Sequence, residues 1–267
     1  MLRDITLGQY YRADSVLHRL DPRVKLVATF MFIISLFIVK NFIGYIIAAL
    51  FLVTGIALSK VPPKFIFRGM KAIFFLLFIT MLFNLFLTPG KELVSFWKIT
   101  ITYEGIKMAV MMAIRLVFLI TGSSLMTLTT TPNNLTDGLE SLLRPLKAIR
   151  VPVHEISMMM SIALRFIPIL MEETDKIMKA QMARGADFES GSIIKRAKSL
   201  VPLLVPLFIS AFRRANDLAM AMEARCYRGG DGRTKMKPLI YAKTDYMAYA
   251  AIVLYLVLIV VFGRILF

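Results

Sequence analysis

The chain has 267 residues, of which 58% are hydrophobic, and its formal net charge is +16 at pH 7. Soluble domains are about 45–50% apolar, so this composition excludes an ordinary soluble protein and predicts an integral membrane protein. One cysteine, Cys226, excludes an internal disulfide, and two histidines, His18 and His154, are too few for a histidine cluster.

The first 130 residues hold four apolar runs, and a fifth run closes the chain. The N-terminal segment is not typical of a cleavable signal, because Asp4, Asp14 and Asp21 interrupt it before any apolar run begins. A transmembrane helix needs about 20 apolar residues, and flanking Lys and Arg side chains allow somewhat shorter helices to span. We therefore predict five spans, at residues 24–39, 42–58, 72–87, 106–128 and 246–262.

The distribution of Lys and Arg predicts the orientation. With the N-terminus inside, the cytoplasmic pieces 1–25, 59–71 and 131–245 carry 27 of the 33 basic residues. By the positive-inside rule the N-terminus is cytoplasmic and the C-terminus lies outside. This bias explains the basic charge without a nucleic-acid partner. The longest outer segment, 88–105, is predicted to be a simple interfacial loop with a turn at Pro89-Gly90.

Residues 131–245 are basic yet partly apolar. A transmembrane hairpin here would expose six basic residues between 172 and 198 on the outer side, so we predict helices on the inner face of the membrane. A short amphipathic helix is expected from about 132 to 149. A long helix is expected from 154 to 183, capped by Gly185, and another from about 192 to 227, stopped by Gly229.

The two long helices end alike, in Ala183-Arg184-Gly185 and Ala224-Arg225-Cys226. Small neighbours leave each guanidinium uncovered, and a guanidinium can bind a carboxylate through two parallel hydrogen bonds. A single arginine in a last helical turn is usually a solvated residue favoured by the helix dipole. Two copies 41 positions apart, at the ends of consecutive helices, indicate a docking function.

With these motifs the sequence resembles the T component (EcfT) of energy-coupling-factor (ECF) transporters, the ABC-type importers of vitamins and metals in prokaryotes. The paired arginine motifs are similar to that family's two short motifs. The segment from Ser15 to Leu26 resembles its N-terminal signature, and the order of spans and basic helices also fits. Cys226 departs from the first motif and is expected to weaken the helix stop. The signature residues are Leu20, Asp21, Pro22 and Arg23.

The resemblance implies an all-α membrane protein with about five transmembrane helices and three cytoplasmic coupling helices, two of them long and crossed. It implies that the chain lies in the prokaryotic cell membrane. It also implies that Arg184 and Arg225 each dock one of two ABC-type ATPase subunits. Motion would pass to a substrate-binding S component, which is thought to topple in the bilayer. The implied regions are 1–130 with four spans, the coupling region 131–245, and the last span 246–267.

No catalysis is expected from this chain alone. It lacks the phosphate-binding Gly-x-x-x-x-Gly-Lys-Ser/Thr loop, so we expect no bound cofactor, with ATP and Mg used by the partner ATPases. No metal-ligand constellation stands out either. The alternatives are a dedicated T component of a cobalt or nickel importer, a stand-alone carrier and an intramembrane lipid enzyme. The sequence does not reveal the substrate.

Methionines cluster on the predicted coupling helices. A single methionine more often fills space in a hydrophobic core or an interface. A cluster of flexible, polarizable side chains, however, suits a surface that repacks against different partners. The clustering predicts a surface for the S component. Its residues are Met158, Met159, Met160, Met171 and Met178.

Several polar residues have a structural interpretation as well as a functional one. Asp21 is expected to cap a helix that begins at Pro22, with Arg23 and Lys25 as positive-inside anchors. Arg115 and Asn84 lie at predicted membrane depth, where a polar group is either functional or paired with a neighbouring helix. Arg213 and Arg214 are expected on a solvated face, with contact to lipid phosphates or to the ATPases as the functional alternative. His18 is expected to be structural rather than a ligand.

Overall fold

The computed structural model describes residues 10–39, 41–71, 73–96, 99–186, 188, 192–230, 236 and 238–264. Helices dominate this described part, so the protein is an all-α membrane protein. The described chain divides into two units. We call Leu142–Pro238 the helical-pair unit, and residues 10–141 together with 239–264 the bundle unit.

The bundle unit contains eight of the described helices and one β-hairpin. The helices are α1 (Val16–Arg19), α2 (Pro22–Ile38), α3 (Phe42–Ser59), α4 (Pro63–Lys71), α5 (Phe74–Leu87), α6 (Tyr103–Thr129), α7 (Pro132–Leu143) and α10 (Lys243–Arg264). The last two residues of α7 belong to the helical-pair unit. The hairpin pairs β1 (Glu92–Phe96) with β2 (Ile99–Thr102) in antiparallel fashion. It replaces the simple loop expected for 88–105.

The hairpin leads directly into α6 through a helix cap. The Thr102 hydroxyl accepts a hydrogen bond from the Gly105 N–H at 3.0 Å and donates one to the Thr88 carbonyl at 2.9 Å. Thr102 is buried. The cap satisfies a free N–H of the first turn, and it joins the end of α5 to the beginning of α6.

Four helices in the described chain are long and apolar enough to cross a membrane, by length and composition: α3, α6, α10 and Val153–Ala183. The first three coincide with predicted spans. The other two predicted spans form the shorter helices α2, with 17 residues, and α5, with 14. Val153–Ala183 also meets the criterion, although sequence reasoning placed it on the inner face of the membrane.

The core of the bundle unit lies where α2, α3, α6 and α10 meet. The rings of Phe51 and Tyr255 stack with centroids 4.3 Å apart. The hydroxyls of Ser35 and Tyr255 share a buried hydrogen bond of 2.6 Å. Gly122 lets α6 approach Phe32, because a side chain at this position would collide with the ring. Small residues of this kind allow close helix packing within a membrane.

Arg115 pairs with neighbouring helices. Its Nε donates to the Tyr45 hydroxyl at 3.1 Å, and Nη2 donates to the Val39 carbonyl at 3.3 Å. Val39 is the C-cap of α2, so the guanidinium satisfies a free carbonyl at a helix end. Asn84 bonds within its own helix, to the Thr80 carbonyl. Of the two interpretations left open, the contacts of Arg115 favour structural pairing.

The segment before α2 is held by local polar contacts. His18 bonds the Ser15 hydroxyl through Nδ1 at 2.6 Å and the Tyr11 carbonyl through Nε2 at 2.9 Å, so its contacts are structural. On the surface, the hydrogen-bonded Arg19 guanidinium holds the pKa of the Asp14 carboxyl below its usual value. That pair is fully exposed and adds little to stability.

Candidate docking site

The helical-pair unit consists mainly of two long helices, α8 (Val153–Ala183) and α9 (Ile193–Ala224). α8 begins and ends within one residue of the predicted bounds, and α9 ends three residues earlier than predicted. The predicted helix 132–149 is divided into α7 and a 3₁₀ helix, Arg144–Ile149. Pro145 stands at this division, where the missing N–H of proline disfavours continued α-helix.

α8 ends in a Schellman motif with Arg184 as its C-cap. The Gly185 N–H bonds the Met182 carbonyl, and the Ala186 N–H bonds the Gln181 carbonyl, both at 3.0 Å. Gly185 has a φ of +91°, the left-handed conformation that this motif requires. The prediction that Gly185 caps the helix is confirmed.

α9 ends with the same pattern, although no glycine is present. The Cys226 N–H bonds the Glu223 carbonyl at 2.8 Å, and the Tyr227 N–H bonds the Met222 carbonyl at 3.0 Å. Cys226 has a φ of +57°. Cysteine therefore takes the backbone conformation of Gly185, and the two motifs present their arginines from alike helix ends.

This strained cysteine gives a stability prediction. A residue with a Cβ in the left-handed conformation costs roughly 1 kcal/mol more than glycine, so Cys226→Gly is expected to slow amide exchange at residues 226 and 227 about fivefold. Hydrogen-exchange mass spectrometry of the purified protein measures this. Cys226→Val is the matched control and should speed exchange, because a β-branched residue tolerates this conformation poorly. Equal exchange in the glycine and cysteine forms would contradict the assigned strain.

All six motif residues are exposed to solvent: Ala183, Arg184, Gly185, Ala224, Arg225 and Cys226. Within the described part of the chain, neither Arg184 nor Arg225 takes part in a salt bridge. Their guanidiniums are therefore available to a carboxylate of another protein.

The two motifs lie at opposite ends of the helical pair. Gly230, five residues beyond Arg225, packs so closely on His154 that a side chain there would collide with the imidazole. The end of α9 therefore lies near the start of α8. Arg184 follows His154 by 30 residues along α8, which corresponds to about 45 Å of helix.

Comparison with known proteins identifies the family. A family profile described as cobalt transport protein matches residues 13–236. The energy-coupling factor transporter transmembrane protein EcfT of Clostridium kluyveri is 59% identical over 93% of this chain and 93% of its own length. Its namesake in Bacillus subtilis is 47% identical over 92% and 93%, and that in Lactococcus lactis 42% over 99% and 100%.

The chain belongs to the EcfT family. Its relatives are named as transmembrane proteins of energy-coupling factor transporters, so this chain is the transmembrane component of such a transporter. Together with its apolar helices, family membership makes it a multi-pass protein of the cell membrane. The resemblance stated from the sequence is confirmed.

In this EcfT-family chain a polar contact joins α8 to α9. Glu173 accepts a hydrogen bond from the Ser210 hydroxyl and another from Nη2 of Arg214, each at 2.6 Å. Sequence reasoning missed Glu173 and expected Arg214 on a solvated face, whereas Arg214 is only partly exposed. The four-residue spacing of Ser210 and Arg214, on one face of α9, is the signal that was available.

The predicted methionine surface is only partly exposed. Met159 is 57% exposed and Met160 is also exposed, whereas Met158, Met171 and Met178 are half-buried. A more continuous apolar surface lies on α9, where large side chains recur at four-residue spacing in two adjacent lines. These exposed residues are Leu200, Val201, Leu204, Val205, Phe208, Ile209 and Phe212.

The N-terminal signature has a structural role in the bundle unit of this EcfT-family chain. Asp21 accepts the Arg23 N–H at 2.8 Å and caps α2, with Pro22 at the first helical position, as predicted. Leu20 is the C-cap of α1. Lys25 is buried and donates to the Thr129 and His18 carbonyls. Lys25 is therefore held by carbonyls inside the bundle unit, and its role as a positive-inside anchor stays a prediction.

A search of the described residues finds no group of three or more His, Cys, Asp or Glu side chains that could hold a metal ion. The chemistry that these residues offer is binding, through guanidiniums at two helix ends and an apolar helix face between them.

Proposed function

We propose that this chain is the non-catalytic coupling subunit of an ECF-type ABC importer. It transmits the ATP-driven motion of two ATPase subunits to a substrate-binding S component, for uptake of vitamins or other micronutrients. The observation that carries the proposal is the pair of matching helix ends that expose Arg184 and Arg225.

Two separate ATPase subunits suit this geometry. About 45 Å of helix separates the two ends, which is wider than a single guanidinium-binding pocket. Each arginine would bind a carboxylate of one subunit through two hydrogen bonds, which fixes direction as well as distance. The Glu173 contacts with Ser210 and Arg214 connect α8 to α9, so that a displacement of one helix end is passed to the other helix.

The apolar surface of α9 supports contact with a membrane protein. Large exposed apolar patches mark protein or lipid interfaces, and this one carries Phe208 and Phe212 at 61% and 67% exposure. Exposed Met159 and Met160 add adaptable contacts suited to more than one partner. The S component would cover this surface, while ATP and Mg would be bound by the ATPases.

The proposed orientation places the N-terminus and both arginine motifs in the cytoplasm. The excess of Lys and Arg supports this orientation. A transmembrane α8 would move basic residues at the end of α8 and the start of α9, among them Lys176, Lys179 and Lys195, to the outer side. A reporter inserted near residue 190 is expected to give a cytoplasmic signal in whole cells, with a fusion at residue 90 as the outside control. An external signal at residue 190 would contradict the orientation.

Co-purification tests the proposal as a whole. The tagged chain, expressed with the ABC-type ATPases and S components of its organism, should retain two ATPase subunits in detergent. The isolated chain should hydrolyse no ATP, and the complex in proteoliposomes should take up substrate only with ATP. Uptake or ATP hydrolysis by the chain alone would refute the coupling function and favour a carrier or an enzyme.

The alternative of a dedicated metal importer is favoured by the cobalt description of the matching family profile. It differs in the cargo and in the number of S components served. Labelled cobalt or nickel uptake that is not competed by other S components would favour it. Association of the same chain with several S components would favour the shared coupling subunit.

A further inference from the structure

Arg23 is the centre of a polar cluster at one end of the bundle unit. Its Nε and Nη2 bond the two carboxylate oxygens of Asp21 at 3.0 and 2.7 Å. Both side chains are largely buried, with 13% and 3% of their surface exposed. A bidentate pair of this kind holds the guanidinium plane in one orientation.

That orientation directs the remaining donors of Arg23 at two distant parts of the chain. Nη2 donates to the Leu239 carbonyl at 3.2 Å, and Nη1 donates to the Ser141 hydroxyl at 3.4 Å. The guanidinium carbon also lies 3.8 Å from the centre of the Tyr241 ring, in cation–π contact. One side chain therefore contacts residues that are about a hundred positions apart in the sequence.

Ser141 and Leu239 have a special place in the chain. Ser141 is the last residue of the bundle unit before the helical-pair unit, and Leu239 is the first residue after it. Within the described residues, the backbone passes from one unit to the other directly after Ser141 and directly before Leu239. Arg23 thus contacts both the residue that precedes the helical-pair unit and the residue that follows it.

Asp245 fixes the same corner of the bundle from α10. Its carboxylate accepts the Asp21 N–H at 2.9 Å and the Ala242 N–H at 2.7 Å, and only 2% of the residue is exposed. The bond to Ala242 is half of a capping box. The start of α10 and the start of α2 are thereby held together, so the Arg23 guanidinium is held on a rigid support.

We propose that Arg23 is a positioning residue that clamps the two backbone connections of the helical-pair unit together. The effect of this clamp on coupling rests on the proposed function. Two connections that are held at one point move together. Without the clamp, the two connections move independently and part of the motion of α8 and α9 is lost before it reaches the bundle unit.

The clamp is tested directly by a distance measurement on the whole chain. Nitroxide labels are placed at exposed Leu143→Cys and Ile240→Cys, which flank the two connections, in a Cys226→Gly background. Arg23→Gln is expected to broaden the distance distribution about twofold or more, and Arg23→Lys to broaden it less, because lysine keeps the charge but lacks the planar fork. Arg19→Gln, on an exposed arginine nearby, is the matched control and should leave the distribution unchanged.

An unchanged distribution in Arg23→Gln would overturn the clamp, whatever the partners of the protein are. If that variant does not accumulate, Tyr241→Leu removes the stacked ring while leaving the pair of Arg23 with Asp21. It is expected to broaden the distribution as well, and an unchanged distribution there would overturn the clamp.

The functional readout uses the complex in proteoliposomes. Arg23→Gln is expected to lower uptake per ATP hydrolysed about fivefold, as a weakened coupling of 1 kcal/mol would, while the ATPases still co-purify. A broadened distance distribution with unchanged uptake per ATP would overturn the role in coupling. Failure of wild-type chain to retain ATPases would instead refute the proposed function and leave the distance result intact.

Discussion

Replacing both Arg184 and Arg225 by alanine is expected to reduce ATP-dependent substrate uptake at least a hundredfold. Truncating one partner of a buried charge pair at an interface costs about 2–5 kcal/mol, and 2 kcal/mol is roughly thirtyfold in affinity. Both guanidiniums are exposed and make no salt bridge within the described chain, so the substitutions should leave the fold of the subunit intact. Uptake into proteoliposomes and co-purification of the ATPases measure the effect.

A charge-matched variant separates docking from general electrostatics. Lys179→Ala with Arg213→Ala also removes two positive charges, here from other exposed positions on α8 and α9. It is expected to keep uptake within about twofold of the parent, because isolated exposed charges contribute little. Full uptake by the Arg184 and Arg225 double variant, with the ATPases still bound, would defeat the assignment of these motifs.

Replacing Asp245 by alanine is expected to lower the unfolding temperature by about 6–12 °C. The change leaves the buried N–H of Asp21 without an acceptor and removes a negative charge near buried Lys25, at a cost of about 3 kcal/mol. For a chain of this size each kcal/mol corresponds to about 2–4 °C. Thermal unfolding in detergent, followed by tryptophan fluorescence or circular dichroism, measures the shift.

Two variants bracket the Asp245 result. Asp245→Asn keeps one acceptor oxygen but turns an amide donor toward the second N–H. It is therefore expected to lower the unfolding temperature about half as much as Asp245→Ala. Asp217→Ala removes an exposed carboxylate on α9 and should change stability by less than about 0.5 kcal/mol. An Asp245→Ala protein as stable as the parent would show that this carboxylate does not hold α2 to α10.

The parts of the fold that sequence predicted well are those encoded by short local signals. Gly185 caps the end of α8, and Asp21-Pro22 sets the start of α2. Each is a cap whose hydrogen bonds involve residues a few positions away. Cys226 shows the limit of such signals, since the cap of α9 forms without the glycine that would predict it.

Other features depend on contacts between distant segments, which a single sequence does not encode locally. The positive-inside rule concerns only the side of the membrane on which Lys25 lies, so it did not predict the buried hydrogen bonds of Lys25 to the carbonyls of Thr129 and His18. Glu173 was overlooked because its partners are about forty residues away on α9. The hairpin 92–102 was missed because its strands are short and lie between two apolar helices.

The single cysteine gives this protein a natural chemical reporter. Cys226 is exposed and directly follows Arg225, so a thiol-reactive dye would attach at one known place in the unmodified chain. The thiol belongs to the motif that is proposed to enter an ATPase pocket. Its rate of modification therefore offers a way to follow opening and closing at that contact during turnover, without altering a residue.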